Sequence, residues 1–154
     1  MGSAFRRDND PYSEVHPKGW RKSHLNADGD LVPANPEGKY NGQEMTVCHH
    51  LDGGWNKNCK GSSPFTSFSA EDGSVISRYG DYLLKLDLNA LKDTKTAGLI
   101  EVDILELPDI LKAIDEAPGF SEIAKNKHRK WAVRDNEILI KGIVPGRFIT
   151  VEKL

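Results

Sequence analysis

Four short segments of this chain carry side chains that could assemble a reactive site: "FRRD" with Arg6 and Asp8, "CHHL" with His50, "FTSFS" with Ser67 and Ser69, and "RDNEILI" with Asp135 and Glu137. An arginine offers a planar fork that can grip a pyrophosphate through two charge-assisted bonds, which a lysine does not reproduce. Ser67 supplies a short hydroxyl able to position a neighbouring carboxylate. Ser69, two residues on, shares its face if the segment is a strand. A histidine can bond a hydroxyl or help activate an acceptor; His49 is adjacent, and only the spacing to Ser67 selects His50. If "AFR", "PFTS" and "EILI" are strands, Arg6, Ser67 and Glu137 can converge in one cleft. Strand neighbours alternate sides, so Arg7 is expected to face solvent.

A second feature is basic. Lys125, Lys127, His128, Arg129 and Lys130 run into Trp131. Cations beside one aromatic ring suit phosphate contact with base stacking. They suit an acidic protein patch equally, and a charge run of this kind is also what an ordinary solvated helix end looks like. Other chemistries find no support. There is no Ser-His-Asp nucleophile pattern, no "GxxxxGK" phosphate loop and no metal-ligand cluster. Cys48 and Cys59 with scattered histidines do not supply a closed zinc site, though the two thiols can pair in an oxidising compartment.

The elements that must position these residues are unevenly legible. The 154 residues are read as one α+β domain, 1–154, with residues 1–3 a vector-derived scar. Charged residues make up 29% and hydrophobic ones 38%, a composition that permits a core. A net charge of -2 gives no global pull toward nucleic acid or anionic membrane. No stretch approaches the roughly 18 apolar residues of a membrane span. From Lys18 to Ser63, repeated turn signals ("ADGD", "PANPEGKYNG", "DGGWNKN") predict long surface loops with at most a short helix near "GQEMTVCHHL". Such loops are uncommon unless they bind something. The second half predicts strands at "YLLKLDL" (Tyr82 to Leu88) and "GLIEVDIL" (Gly98 to Leu105). "LPDILKAIDEA" (Leu107 to Ala117) reads as a short amphipathic helix with Ile110, Leu111 and Ile114 on one face. "SEIAKNKHRKW" is a helical turn or a basic loop. "EILIKGIVPGRFITVEKL" is two strands joined by the turn "VPG".

The order and content of the site segments resemble the mono-ADP-ribosyltransferase toxins of the Arg-Ser-Glu class, the pertussis-toxin-like members above all. An aromatic-Arg-x-Asp opening leads into a Pro turn and a Gly-aromatic pair, as "FRRDNDPYSEVHPKGW" does. A histidine precedes a Phe-x-Ser-x-Ser strand, as His50 precedes "FTSFS", and a final Glu begins a strand running toward a Pro turn, as in "EILIKGIVPGRFITV". The match spans nearly the whole chain. Phe68 stands where the family usually has a small residue, and Asp135 where it usually has Gln or Glu.

The resemblance implies a split sheet of mostly antiparallel strands with short flanking helices. It also implies NAD as co-substrate, held by Arg6, Asp8, Ser67 and Ser69, with Asp8 orienting Arg6. Glu137 is then the catalytic carboxylate, with Asp135 and His50 as helpers. Loss of nicotinamide builds positive charge on the ribose, which a carboxylate fixed beforehand stabilises. Arg129, Lys130 and Trp131 fall where the family selects its macromolecular acceptor, a protein or a nucleic acid. An acid at Asp135 resembles the arginine-modifying members. No metal is implied. The family also implies a toxin or effector domain, secreted or delivered into a target cell as part of a larger protein and acting in its cytoplasm. A bacterial producer would need an immunity protein. The competing expectations are an NAD glycohydrolase using water as acceptor, and a non-catalytic binding module on the same fold.

Overall fold

The structure is a computed structural model that describes residues 2–40, 42–52, 61–70 and 80–154. Its centre is a six-stranded sheet. The strands are β1 (Ser3–Asp8), β6 (Phe65–Ser69), β7 (Tyr82–Asp87), β8 (Asp103–Leu105), β9 (Glu137–Lys141) and β10 (Ile149–Lys153). They lie in the order β10-β7-β1-β6-β9-β8, and every pairing is antiparallel. The α+β expectation holds at this level.

Each face of the sheet has its own core. Ala4, Phe68, Leu84, Leu86, Ile138 and Ile140 form one layer, covered by Leu88 and Leu91 of α2 (Leu88–Thr96) and by Val144 and Phe148. Phe65 and Leu139 face the other way. They pack against Val47 and Cys48 of α1 (Val47–Leu51), Ile110 and Ile114 of α3 (Leu107–Glu116), and Ala132 of α4 (Glu122–Arg134). Apolar residues therefore alternate between two cores along β9, which is why "ILI" (138–140) is an unbroken apolar run flanked by Glu137 and Lys141. No helix among the described residues is long and apolar enough to cross a membrane.

Several elements differ from expectation. The loop-rich front half contains two small hairpins, β2 (His24–Leu25) with β3 (Leu31–Val32) and β4 (Lys39–Tyr40) with β5 (Gln43–Glu44). Two of the turn signals there are thus hairpin tips. The strand at Tyr82 ends at Asp87 because that side chain accepts the backbone N–H of Ala90 at 3.1 Å and caps α2. Helix α2 occupies much of the stretch left without an element, and the next strand shrinks to Asp103–Leu105.

The basic segment is a full helix, α4, capped by the Ser121 hydroxyl accepting from Ala124 N–H at 3.2 Å. Only His128 and Ala132 of it are buried, so its sequence has almost no apolar stripe to read. Finally, β9 and β10 both exist but do not form a hairpin, since β6, β1 and β7 lie between them. Val144 instead exchanges backbone bonds with Leu31 at 2.8 and 2.9 Å, which draws the chain away from β9 toward the β2–β3 hairpin.

Candidate active site

The site begins with an interruption of the sheet. β1 pairs with β7 along its whole length, yet meets β6 at the single register pair Phe5↔Ser69. Beyond that pair the guanidinium of Arg6 donates to the backbone carbonyl of Ser67 at 3.1 Å, doing for that carbonyl what a ladder N–H would do. A cleft of about 590 Å³ opens here, within the range of small-molecule sites. Phe5, Arg6, Arg7 and Asp8, four consecutive strand residues, all line it. A continuous ladder presents only alternate residues to one face. The separation of β1 from β6 removes that restriction, and Arg7 accordingly lines the cleft, its Nε donating to Gly80 O at 2.7 Å, rather than facing solvent. Gly80 has φ +135°, and an added Cβ would sit 2.3 Å from the Asp8 carbonyl carbon, so only glycine lets this strand entry press on Asp8.

Arg6 is braced from behind. Its Nη2 lies 3.7 Å from Asp8 Oδ2, while Asp8 is gripped more closely by Lys22 Nζ, at 2.8 and 2.9 Å from its two oxygens. Lys22 also donates to Asp10 O at 2.7 Å. Asp8 and the Lys22 head are nearly fully buried. Lys22 is absent from the expected site, because the thirteen residues between it and Asp8 leave no pattern linking the two. We expect Lys22→Ala to cost about 1–2 kcal/mol of stability in urea unfolding, since it strands a buried carboxylate that keeps only weaker partners.

Glu137 enters from the opposite wall. Helix α4 ends at Asp135, and Asn136 adopts the left-handed conformation (φ 44°), a helix-stop geometry that asparagine tolerates. Glu137 therefore starts β9 already turned into the sheet, opposite Ser69. It is buried, and burial pushes its carboxyl up to about 8; the nearby Asp135 adds to this, against downward pulls from the Ser67 hydrogen bond, Arg6 and Arg134. Ser69 donates to Asp135 O at 2.5 Å and fastens the helix end to β6. The Asp135 carboxylate accepts Arg134 Nε and Nη2 at 3.0 and 3.1 Å.

The ambiguity between the two histidines is resolved by α1. His49 accepts the Thr46 backbone N–H at 3.0 Å in a capping box and packs edge-on against Phe120. His50 faces the cleft, its Nε2 2.7 Å from Ser67 Oγ and its Nδ1 2.5 Å from Ser63 Oγ. Burial, reinforced by Arg6, lowers its pKa to about 4, so the imidazole is neutral.

Aromatic rings complete the cleft. His16 and Trp20 stack at 4.2 Å with planes 10° apart, and Trp131 lines the cleft from α4. Arg129 and Lys130 are not among the lining residues. Arg129 is held by Asp115, Glu122 and Asn126, tying α4 to α3. Lys130 is exposed. Cys48 is buried against α3, which pushes its thiol pKa up; Cys59 lies outside the described residues, and with it any pairing of the two thiols. Among the described residues, no group of three or more His, Cys, Asp or Glu side chains could hold a metal ion.

The cleft thus joins an arginine fork, a neutral histidine, a serine hydroxyl and a buried carboxyl within one aromatic-walled space. No family model matches the chain, and no curated protein or solved structure is found to match it.

Proposed function

We propose that this chain transfers ADP-ribose from NAD to a macromolecular acceptor with release of nicotinamide. The observation that carries this reading is the convergence of Arg6, Ser67 and Glu137, from three distant segments, on one cleft at the break between β1 and β6. The break is what a split, ADP-ribosyltransferase-like sheet would require. It puts a guanidinium and a carboxyl on opposite walls, as a ligand with a pyrophosphate and a ribose demands.

Arg6 binds the pyrophosphate through its fork. Ser67 positions Glu137 against the nicotinamide ribose. The bond from ribose to nicotinamide breaks with its electron pair leaving on nicotinamide. Positive charge spreads over the ribose and is met by the Glu137 carboxylate. The acceptor then closes on the same carbon and gives up a proton. Trp131 and Arg134, on the cleft wall formed by α4, are the acceptor-facing groups in this reading.

The carboxylate must be ionised to work, yet in the free site it holds its proton up to about pH 8. The cationic nicotinamide of NAD, bound beside it, favours the ionised form. We therefore expect kcat/KM for nicotinamide release to rise with pH toward a midpoint near that of the free site, and the midpoint for kcat to lie lower. His50 stays neutral above about pH 4 and sets no second limit in the neutral range. The experiment is nicotinamide release from NAD across pH, with and without a cell lysate. Absence of both release and NAD binding would sink the reading, and release without a labelled acceptor would make water the acceptor.

A further inference from the structure

Arg6 and Asp8 stand two apart on β1, a spacing that puts both side chains on one side of the strand. An arginine and a carboxylate so placed ordinarily close into a two-pronged pair at hydrogen-bond distance. Here they do not. Arg6 Nη2 stops 3.7 Å from Asp8 Oδ2, which is too long for a hydrogen bond. The ammonium of Lys22 has taken the carboxylate instead, reaching its two oxygens at 2.8 and 2.9 Å while also donating to Asp10 O at 2.7 Å. Lys22 is fixed at this spot from both sides. Its own backbone N–H donates to Glu14 O at 3.0 Å, and the hydroxyl of the next residue, Ser23, bonds that of Thr66 on β6 at 2.8 Å.

Arg6 is thereby left with unspent donors. Its Nη1 is engaged by Ser67 O at 3.1 Å, but its Nε–H is buried and meets no acceptor among the described residues. A buried N–H without a partner is costly until something satisfies it. The other arginines of the cleft are committed elsewhere, Arg7 Nε to Gly80 O and Arg134 to the Asp135 carboxylate. The charges agree with the geometry: two cations, Arg6 and Lys22, against one anion, Asp8, leave one net positive charge on this wall of the cleft. Without Lys22 the remaining pair would be neutral and free to close on itself.

We propose that Lys22 is a positioning residue for the anion subsite: by occupying both oxygens of Asp8 it keeps that carboxylate from capturing the Arg6 fork, and so leaves the fork to the ligand's pyrophosphate. The role rests on the assignment of Arg6 to the pyrophosphate of NAD and goes beyond it. It also gives Asp8 a part different from the one the family resemblance implies, since the carboxylate competes for Arg6 rather than aiming it.

The test is the affinity of the intact chain for inorganic pyrophosphate, measured by isothermal titration at low ionic strength. Lys22→Met keeps the aliphatic stem and loses the charge, and affinity is expected to fall about tenfold or more as Asp8 turns to Arg6. Adding Asp8→Asn removes the competitor, restores one net positive charge and keeps an oxygen for the Asp10 N–H that Asp8 now accepts at 3.1 Å. Affinity of this double variant is expected to return to within about threefold of wild type. A lysine that only supports the fold gives no such rescue. Equal affinity in Lys22→Met and wild type overturns the proposal, as does a double variant as weak as the single one or a wild type that binds no pyrophosphate. If Lys22→Met does not fold, the double variant, which carries no stranded carboxylate, decides by the same standard. Pyrophosphate binding as expected with no nicotinamide release defeats the NAD reading and leaves the role of Lys22 standing. Nicotinamide release with an unchanged KM in Lys22→Met does the reverse.

Discussion

Glu137→Gln is expected to lower nicotinamide release by roughly 10²–10³-fold, the scale on which a single fixed electrostatic partner of a transition state acts. Glutamine has nearly the shape of the glutamic acid that occupies the free site, and its amide can still bond Ser67. What it cannot do is carry the negative charge that the ribose calls for as nicotinamide leaves. The Arg6 fork and its brace of Asp8 and Lys22 are untouched by the change. NAD affinity should therefore stay within a few-fold of wild type, so that the loss falls on kcat rather than KM. Isothermal titration alongside single-turnover release separates the two. A variant retaining more than about a tenth of wild-type turnover would remove Glu137 from the chemistry.

The same substitution is expected to make the protein more stable, and increasingly so as pH rises. Folded Glu137 holds its proton up to about pH 8, whereas the unfolded residue releases it near the ordinary 4.5. Across that window the folded state binds more protons, so stability falls as pH rises, and the loss is complete above the folded value. His50 acts with the opposite sign: its pKa falls from 6.5 to about 4, so it withdraws stability as pH drops through that interval. The two oppose each other where the windows overlap, and above 6.5 the Glu137 loss stands alone. Glu137→Gln removes only the Glu137 part. Its stability advantage, measured by urea unfolding relative to its value at pH 4.5, should grow to on the order of 3 kcal/mol by pH 8. A pH-independent difference would mean that Glu137 titrates normally. Lost turnover together with gained stability would mark a group kept for its chemistry at a structural cost.

The parts of the fold legible in the sequence were those with a strong local signal. "YLLKLD" and "EILI" are rich in apolar residues because both strands lie inside the sheet, and "LPDILKAIDE" carries its proline at the helix start and its isoleucines on one face. Helix α4 was not legible, because a helix that buries only His128 and Ala132 shows no stripe. Helix α2 was missed although Asp87 is a proper cap, since the apolar run into Leu88 reads equally well as strand. The "VPG" segment is no hairpin turn, since β9 and β10 run in the same direction with three strands between them; Val144 there bridges to Leu31, and no property of Val144 announces that.

The sequence by itself determined which chemical groups this chain has to spend: one arginine two residues from an aspartate, paired serines on a strand, a histidine before them and a carboxyl at the head of an apolar strand. Side-chain chemistry and alternation are local properties, and they are written in residue order. Only the tertiary structure decided that β1 leaves β6 after one register pair, that Arg6 and Arg7 share a cleft, that Lys22 holds Asp8, and that His50 bridges Ser63 and Ser67. These are contacts between segments far apart in the chain. Burial, which exists only once both walls are built, is what moves Glu137 up and His50 down.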